Sequence, residues 1–127
     1  MRSKKTNTEG GMFLRKKSLT VAKTFAHAAR EKIAKDTIIM DLEHLTLIAD
    51  YFVITHGESS PQLKAISNHI SRTAKNKKIR LLNVEGKPET GWILLDFGDV
   101  IVHIFSKEKR EFYNLEYIWQ EAKLIDI

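Results

Sequence analysis

The sequence predicts an α/β fold: a mixed five-stranded sheet packed with helices, with elements in the order α-β-β-α-β-β-β-α. Three observations lead to this class. Residues 92–105 include ten apolar residues among fourteen, interrupted at Gly98-Asp99, which is typical of a β-hairpin. Elsewhere apolar residues recur at three- and four-residue steps, which predicts amphipathic helices. Short β-branched runs lie between these helices and predict further strands.

The first predicted helix begins at Ser18 and presents Phe25 and Ile33 on its apolar face. Residues 37–42 and 51–55 follow as two strands, and the second lacks polar alternation, as a central strand does. The first half of the predicted domain is therefore one helix and two strands.

A second helix is predicted after this strand, with Ser60 as its N-cap and Pro61 at its first position. Residues 81–84 form the third predicted strand, and residues 85–91, with two glycines and a proline, form a loop. A strand, a helix and a strand in succession predict a parallel, right-handed crossover.

In the predicted hairpin, Gly98 and Asp99 form the turn, so directly opposed residues share one face of the sheet. One face is wholly apolar and consists of Ile93, Leu95, Phe97, Val100, Val102 and Ile104. The other face is mixed and consists of Trp92, Leu94, Asp96, Ile101, His103 and Phe105. We expect the first face to pack against helices and the second to serve a function.

The last predicted element is a helical region that Ser106 caps. Its apolar stripe consists of Phe112, Leu115, Ile118, Trp119 and Ala122.

Length and charge predict one domain with a basic tail. A chain of 127 residues with 43% hydrophobic content suits a single core. Residues 1–17 contain six basic side chains and one acidic side chain. Their net charge of +5 equals the net charge of the whole chain. We predict a disordered basic tail over residues 1–17 and a single domain over residues 18–127. The balanced charge of that domain argues against a broad phosphate-binding surface.

The tail has several interpretations. It is a leftover upstream start, since Met12 is also a plausible initiator, or a segment that touches RNA or an acidic membrane surface. A mitochondrial presequence is the third interpretation, although the tail has no amphipathic apolar stripe. The chain has no cysteine and no apolar run near the roughly 20 residues of a spanning helix, so we expect a soluble protein in a reducing compartment.

Catalytic and metal-binding patterns are weak. The five histidines are scattered singly, without the spacing of a zinc site. The sequence contains the residue types of a hydrolytic triad in Ser59, His103 and Asp96. However, Ser59 does not lie in the Gly-x-Ser-x-Gly motif that exposes a nucleophilic serine, so the pattern is weak. No carboxylate pair suited to magnesium is evident, and Asp96 and Asp99 suit either turn chemistry or partner recognition.

Several motifs coincide in order and spacing. They are Ala49-Asp50-Tyr51-Phe52-Val53-Ile54, Gly57-x-Ser59, Val84-Glu85-Gly86, the hairpin from Trp92 to Ile104, and Arg110-x-Phe112-Tyr113-x-Leu115-Glu116-x-x-Trp119. Together they resemble the ribosomal silencing factor family, also called the Iojap or RsfS-like proteins. The resemblance covers about residues 18–119.

The resemblance implies a nucleotidyltransferase-like fold without catalytic carboxylates, and a cytoplasmic factor without enzymatic activity or cofactor. Such a factor binds the large ribosomal subunit through its ribosomal protein fourteen, blocks joining of the small subunit and represses translation. It also implies homodimers in isolation. Six residues match the family's motif positions and are the predicted partner-binding set: Trp92, Asp96, His103, Arg110, Tyr113 and Glu116. Structural support is the stronger interpretation for Asp50, Glu85 and Trp119.

Two other functions compete with this one. One is a nucleotidyltransferase-like enzyme or nucleotide-binding protein that uses Ser59 or Asp96 with magnesium. The other is an RNA-binding protein that acts through its basic tail.

Overall fold

The computed structural model describes the backbone of residues 8–127 and the side chains from Lys17 onward. Its elements are α1 Thr8–Glu31, β1 Lys35–Asp41, β2 Tyr51–Gly57, α2 Ser60–Asn76, β3 Asn83–Lys87, a 3₁₀ turn Pro88–Thr90, β4 Trp92–Asp96, β5 Val100–Ser106, α3 Lys107–Tyr113, α4 Leu115–Ile118 and β6 Lys123–Ile125. The mixed sheet packed with helices is confirmed.

The sheet has the strand order β3-β4-β5-β2-β1-β6. Its centre is the parallel pair β2–β5, and the other neighbours are antiparallel. The predicted hairpin register is confirmed: Ile93 lies opposite Ile104, Leu95 opposite Val102, and the Phe97 N–H donates to the Val100 carbonyl at 2.9 Å. The turn at Gly98-Asp99 therefore assigns each residue of β4 and β5 to its face.

The two strands on either side of α2 are parallel, as predicted, but they are not neighbours in the sheet. β2 and the strand after α2 run in the same direction, but β5 and β4 lie between them, and β3 forms the sheet edge beside β4. The reason is that β4 and β5 are the most apolar strands and take the interior positions. Residues 85–87 belong to β3 and not to a loop, because pairing with β4 outweighs their turn-like composition.

The sheet has six strands and not five, because the chain ends in a strand where a helix was predicted. α3 stops at Asn114, whose φ of 48° is left-handed, and α4 is a single short turn. Asparagine tolerates this conformation better than most residues. β6 then pairs with the free edge of β1. The predicted stripe is split accordingly: Phe112 and Ile118 are 75% and 62% exposed.

Two helix starts also differ from the prediction. α1 begins at Thr8 and not at Ser18, so it overlaps the predicted tail at residues 8–17. Residues 1–7 of that tail lie outside the described residues, and its disorder stays a prediction. α2 is capped by Ser59 and not by Ser60, because the Ser59 hydroxyl accepts the Gln62 N–H at 3.2 Å. The predicted cap at Ser106 is confirmed by its bond from the Lys109 N–H.

The sheet separates two hydrophobic cores. On one face α1 and α2 cover the apolar side of the hairpin and the centre of β2, including Phe25, Ile66 and Leu95. On the other face the C-terminal residues Leu115 and Trp119 pack over a second core. The members of this second core are Met40, Leu42, Ala49, Phe52, Ile54, Ile101 and Phe105. The predicted mixed face is therefore largely a core, and only its β3–β4 end remains accessible.

Candidate partner-binding surface

The accessible end of the second face forms a shallow cleft of about 290 Å³. We call it the Trp92 surface and define it by Glu85 on β3, Trp92 and Leu94 on β4, and Lys109 and Tyr113 on α3. Leu94 and Trp92 are half-buried, and Tyr113 is 38% exposed. An apolar floor with a carboxylate on one side and an ammonium group on the other is typical of a binding surface with a polar rim.

The close approach of β3 to β4 forms one wall of the cleft. Gly86 lies opposite Ile93 with a φ of 83°, and a Cβ atom there would lie 1.9 Å from the Trp92 carbonyl oxygen. Only glycine allows this approach, since any side chain would collide with the backbone of β4. The motif Val84-Glu85-Gly86 thus lies within β3, which brings Glu85 beside Leu94.

Trp92 is held in place by an aromatic cluster. Its ring centroid lies 4.4 Å from that of Tyr113 and 5.0 Å from that of Phe105. The indole N–H donates to Nδ1 of His103 at 3.2 Å. The indole N–H of Trp92 already has a hydrogen-bond partner within the chain, and the ring is held in place. The rest of the ring surface can therefore contact a partner without a further loss of side-chain entropy.

His103 supports the indole from below. It is buried, and its ring lies edge-on to Phe52 at 4.5 Å. Burial lowers the pKa of His103 from 6.5 to about 3, so the ring is neutral at physiological pH. Because Nδ1 accepts from Trp92, the ring proton is on Nε2, which has no hydrogen-bond partner among the described residues. His103 is therefore a buried residue that holds the Trp92 indole, and its contact with a partner stays a prediction.

Arg110 and Glu116 form a separate cluster next to the second core. The Arg110 guanidinium is buried and donates to Glu116 Oε2 at 3.0 and 3.3 Å, from Nη2 and Nε. Its Nη1 also donates to Nδ1 of His56 at 3.0 Å. Burial, and then the Arg110 charge, lower the pKa of His56. The ion pair ties α3 to α4 across the turn at Asn114, so these two motif residues hold the C-terminal segment in place.

Asp96 lies apart from the other five predicted residues. It ends β4 at the turn, where its carboxylate accepts the Gly98 N–H at 2.7 Å. Ser59 lies beyond the opposite end of the sheet strands, at the start of α2. The hydrolytic triad considered for Ser59, His103 and Asp96 is therefore not assembled. Ser59 and Asp96 instead make local structural hydrogen bonds.

Of the six predicted residues, the structure brings Trp92, His103 and Tyr113 together. Lys109 lines the cleft but is not among the predicted residues, although its spacing of four from Tyr113 places both on one side of a helix. Among the three residues assigned to support, Asp50 is fully buried, Trp119 packs edge-on to Phe52 at 6.2 Å, and Glu85 is exposed at the cleft rim.

No group of three or more histidine, aspartate or glutamate side chains in the described part of the chain is arranged to hold a metal ion. None of the helices over residues 8–127 is both long and apolar enough to cross a membrane.

Fold and surface together define a small α/β protein with one accessible aromatic end on its sheet. The chain belongs to the ribosomal silencing factor family: the family model described as "Ribosomal silencing factor during starvation", RsfS, matches residues 15–127.

Individual relatives agree with this assignment. The ribosomal silencing factor RsfS of Bacillus subtilis is 42% identical over 108 residues, which are 85% of this chain and 92% of that protein. The mouse protein named mitochondrial assembly of ribosomal large subunit protein 1 is 32% identical over 71% of this chain and 41% of its own length. A crystal structure of a Chromobacterium violaceum protein superposes with a TM-score of 0.78 at 28% identity, covering 80% of this chain and 85% of that one.

Proposed function

We propose that this protein silences ribosomes by binding the large subunit through ribosomal protein fourteen and preventing the small subunit from joining. The observation that carries the proposal is the Trp92 surface, an aromatic and partly charged cleft in a chain of this family. The names of its relatives, a ribosomal silencing factor and a protein of large-subunit assembly, support a partner on the ribosome.

The mechanism is steric and needs no catalysis, cofactor or metal. Trp92 is the anchor, since its ring is preorganised by Tyr113, Phe105 and His103. Glu85 and Lys109 form the charged rim that orients the partner. A tryptophan in such a position contributes about 2 kcal/mol or more to binding. Once the protein is bound, its body occupies the space that the small subunit needs.

Several further features belong to the same proposal. The fold is a nucleotidyltransferase-like sheet used only for recognition. The protein acts in the cytoplasm, in silencing and in large-subunit assembly, and forms a homodimer when it is away from the ribosome. The basic tail of residues 1–17 contacts ribosomal RNA, and its deletion is expected to weaken the salt dependence of ribosome binding.

A matched pair of tyrosine variants tests the proposal. Tyr113→Ala removes an aromatic wall of the Trp92 surface, whereas Tyr117→Ala removes a tyrosine that is 65% exposed on α4 and does not line the cleft. We expect Tyr113→Ala to weaken co-sedimentation with purified large subunits about tenfold or more, and Tyr117→Ala to bind as the wild type does. Equal binding by both variants would count against this surface.

Trp92→Ala tests the anchor directly. We expect roughly thirtyfold weaker binding to isolated ribosomal protein fourteen, which corresponds to about 2 kcal/mol. In a subunit-joining assay on sucrose gradients, wild-type protein is expected to reduce the fraction of joined ribosomes and Trp92→Ala to leave it unchanged. Thermal unfolding is measured in parallel, because Trp92 also packs against Phe105. Inhibition of joining by a folded Trp92→Ala variant would refute the mechanism.

A further inference from the structure

A second cleft, also of about 290 Å³, lies at the opposite end of β4 from Trp92. Its walls are α1, the connection from α2 to β3, and the turn between β4 and β5. Four cationic side chains line it, and we call it the basic cleft: Lys17, Lys77, Lys78 and Arg80. Asp99 is the acidic residue among its described lining residues, and its carboxylate accepts the Ser18 hydroxyl at 3.4 Å.

The single carboxylate among the described lining residues, that of Asp99, offsets only part of the charge of the four cations. All four cations are exposed, and none forms an ion pair within the part of the chain whose side chains are described. The segment of residues 59–84, which supplies three of them, has six basic residues and no acidic one. The domain has balanced charge in total, but the fold concentrates positive charge at this end.

Side-chain hydrogen bonding to the end of α2 does not account for these side chains. The last carbonyls of α2 are already satisfied by backbone N–H groups, since Lys77 donates to Thr73 and Ala74, and Ile79 donates to Ala74 at 2.8 Å. Lys78 turns the chain with a φ of 59°, so that Ile79 packs on the first core while Lys77 and Lys78 stay exposed. The turn thus presents cations to solvent on both sides of the half-buried Ile79.

The cleft also contains an aromatic ring. Phe97 is half-buried, lines the cleft and packs on Phe25 with ring centroids 4.3 Å apart. A fixed ring surrounded by lysine and arginine side chains is the arrangement that binds single-stranded nucleic acid, with a base on the ring and phosphates on the cations. The concave shape of the cleft fits a nucleic-acid strand better than the flat surface of a bilayer.

We propose that the basic cleft binds a single-stranded or looped RNA segment. Lys17, Lys77, Lys78 and Arg80 contact its phosphates, and Phe97 stacks on one base. This site is independent of the proposed protein contact, because Phe97 follows the last residue of β4 whereas Trp92 is the first. Both surfaces are available at the same time, so a two-point attachment to a ribonucleoprotein particle follows.

Fluorescence anisotropy with a labelled twelve-nucleotide single-stranded RNA of mixed sequence tests the proposal on the full chain. The four phosphate contacts of the basic cleft are expected to contribute about −3 to the slope of the logarithm of the binding constant against the logarithm of salt concentration, in addition to the contribution of the rest of the basic tail. The combined variant Lys77→Ala, Lys78→Ala, Arg80→Ala is expected to reduce the magnitude of that slope by about 2 and to bind at least tenfold more weakly.

A charge-matched control separates the cleft from net charge. Lys32→Ala, Lys64→Ala, Lys123→Ala removes three exposed cations that do not line the cleft, and it is expected to bind RNA as the wild type does. Phe97→Leu keeps an apolar side chain against α1 and is expected to bind about tenfold more weakly with an unchanged salt slope. Thermal unfolding measurements check that each variant is folded. If Phe97→Leu is not folded, the two triple variants decide the outcome.

Three results would overturn the proposal. Equal losses in the two triple variants would mean that RNA responds only to total charge, and no loss in the cleft triple would place any RNA site elsewhere. Binding to phosphatidylglycerol vesicles without binding to RNA would assign the cleft to lipid headgroups. Trp92→Ala is expected to keep full RNA affinity, so failure of the Trp92 surface and failure of the basic cleft are distinguishable.

Discussion

Replacement of His103 with glutamine would remove a titrating group from the interior beneath the Trp92 surface. Burial lowers the pKa of the folded ring from 6.5 to about 3. In the unfolded chain the same ring takes up a proton below about pH 6.5, so the unfolded state binds more protons than the folded state between these values. The stability that His103 contributes is therefore present above pH 6.5 and is lost as the pH falls towards 3.

The size of the effect follows from this difference. Each pH unit below 6.5 costs about 1.4 kcal/mol, so between pH 8 and pH 5 the wild type loses about 2 kcal/mol through His103 alone. Protonation would also place a proton on Nδ1, which already accepts the Trp92 N–H. Glutamine retains an acceptor for Trp92 and cannot be protonated in this range.

Urea unfolding of both proteins at pH 8, 7, 6 and 5 measures the effect as the difference between their stability curves. Groups common to both, including His56, whose pKa is also lowered, cancel in that difference. We expect the wild type to lose about 2 kcal/mol more than His103→Gln over this range. Parallel curves, or an NMR titration in which His103 of the folded protein gains a proton near pH 6, would refute its burial as a neutral ring.

Three further substitutions test single structural features. Ser59→Ala removes the N-cap acceptor of α2 and is expected to cost about 1 kcal/mol in urea unfolding. Gly86→Ala places a Cβ atom 1.9 Å from the Trp92 carbonyl oxygen and is expected to cost at least about 2 kcal/mol. Arg110→Met removes the buried cation and is expected to cost about 2 kcal/mol and to raise the pKa of His56, as followed by NMR titration.

Each of these variants has a matched control. Ser60→Ala, one residue on, is expected to change stability by less than about 0.5 kcal/mol, and a larger effect there than at Ser59 would reverse the cap assignment. Gly98→Ala carries similar backbone strain at a φ of 90° but meets Leu82 only at 3.4 Å, so it isolates the collision at Gly86. Arg72→Met removes an exposed arginine and should leave the pKa of His56 unchanged.

The hairpin shows which features of the fold can be predicted from the local residue pattern. Gly98-Asp99 and the alternation on either side of it determine which residues of β4 and β5 face each core, because a register shift of one residue would expose the whole apolar face. The structure has that register, with Leu95 opposite Val102. Its neighbours could not be predicted in this way, since β3 has five exposed residues and no apolar alternation.

The candidate site could likewise be predicted from the sequence only in part. Trp92, His103 and Tyr113 match motif positions, and the fold brings them into one cluster. Their different roles are tertiary: His103 is buried under the C-terminal helices, while Tyr113 remains 38% exposed. Arg110 and Glu116 match the same motif, yet they bond to each other. A match to a motif indicates that a residue has a role, but it does not distinguish support of the fold from contact with a partner.

By itself the sequence determined what depends on neighbours along the chain: the amphipathic helices, the hairpin register, the cap at Ser106 and the class of fold. The tertiary structure alone decided the order of the strands, the sixth strand, which end of the mixed face stays accessible and where positive charge accumulates. The reason is physical. Local elements follow from side-chain period and turn chemistry, whereas strand neighbours, burial and electrostatic potential depend on segments that are distant in sequence and meet only in the folded chain.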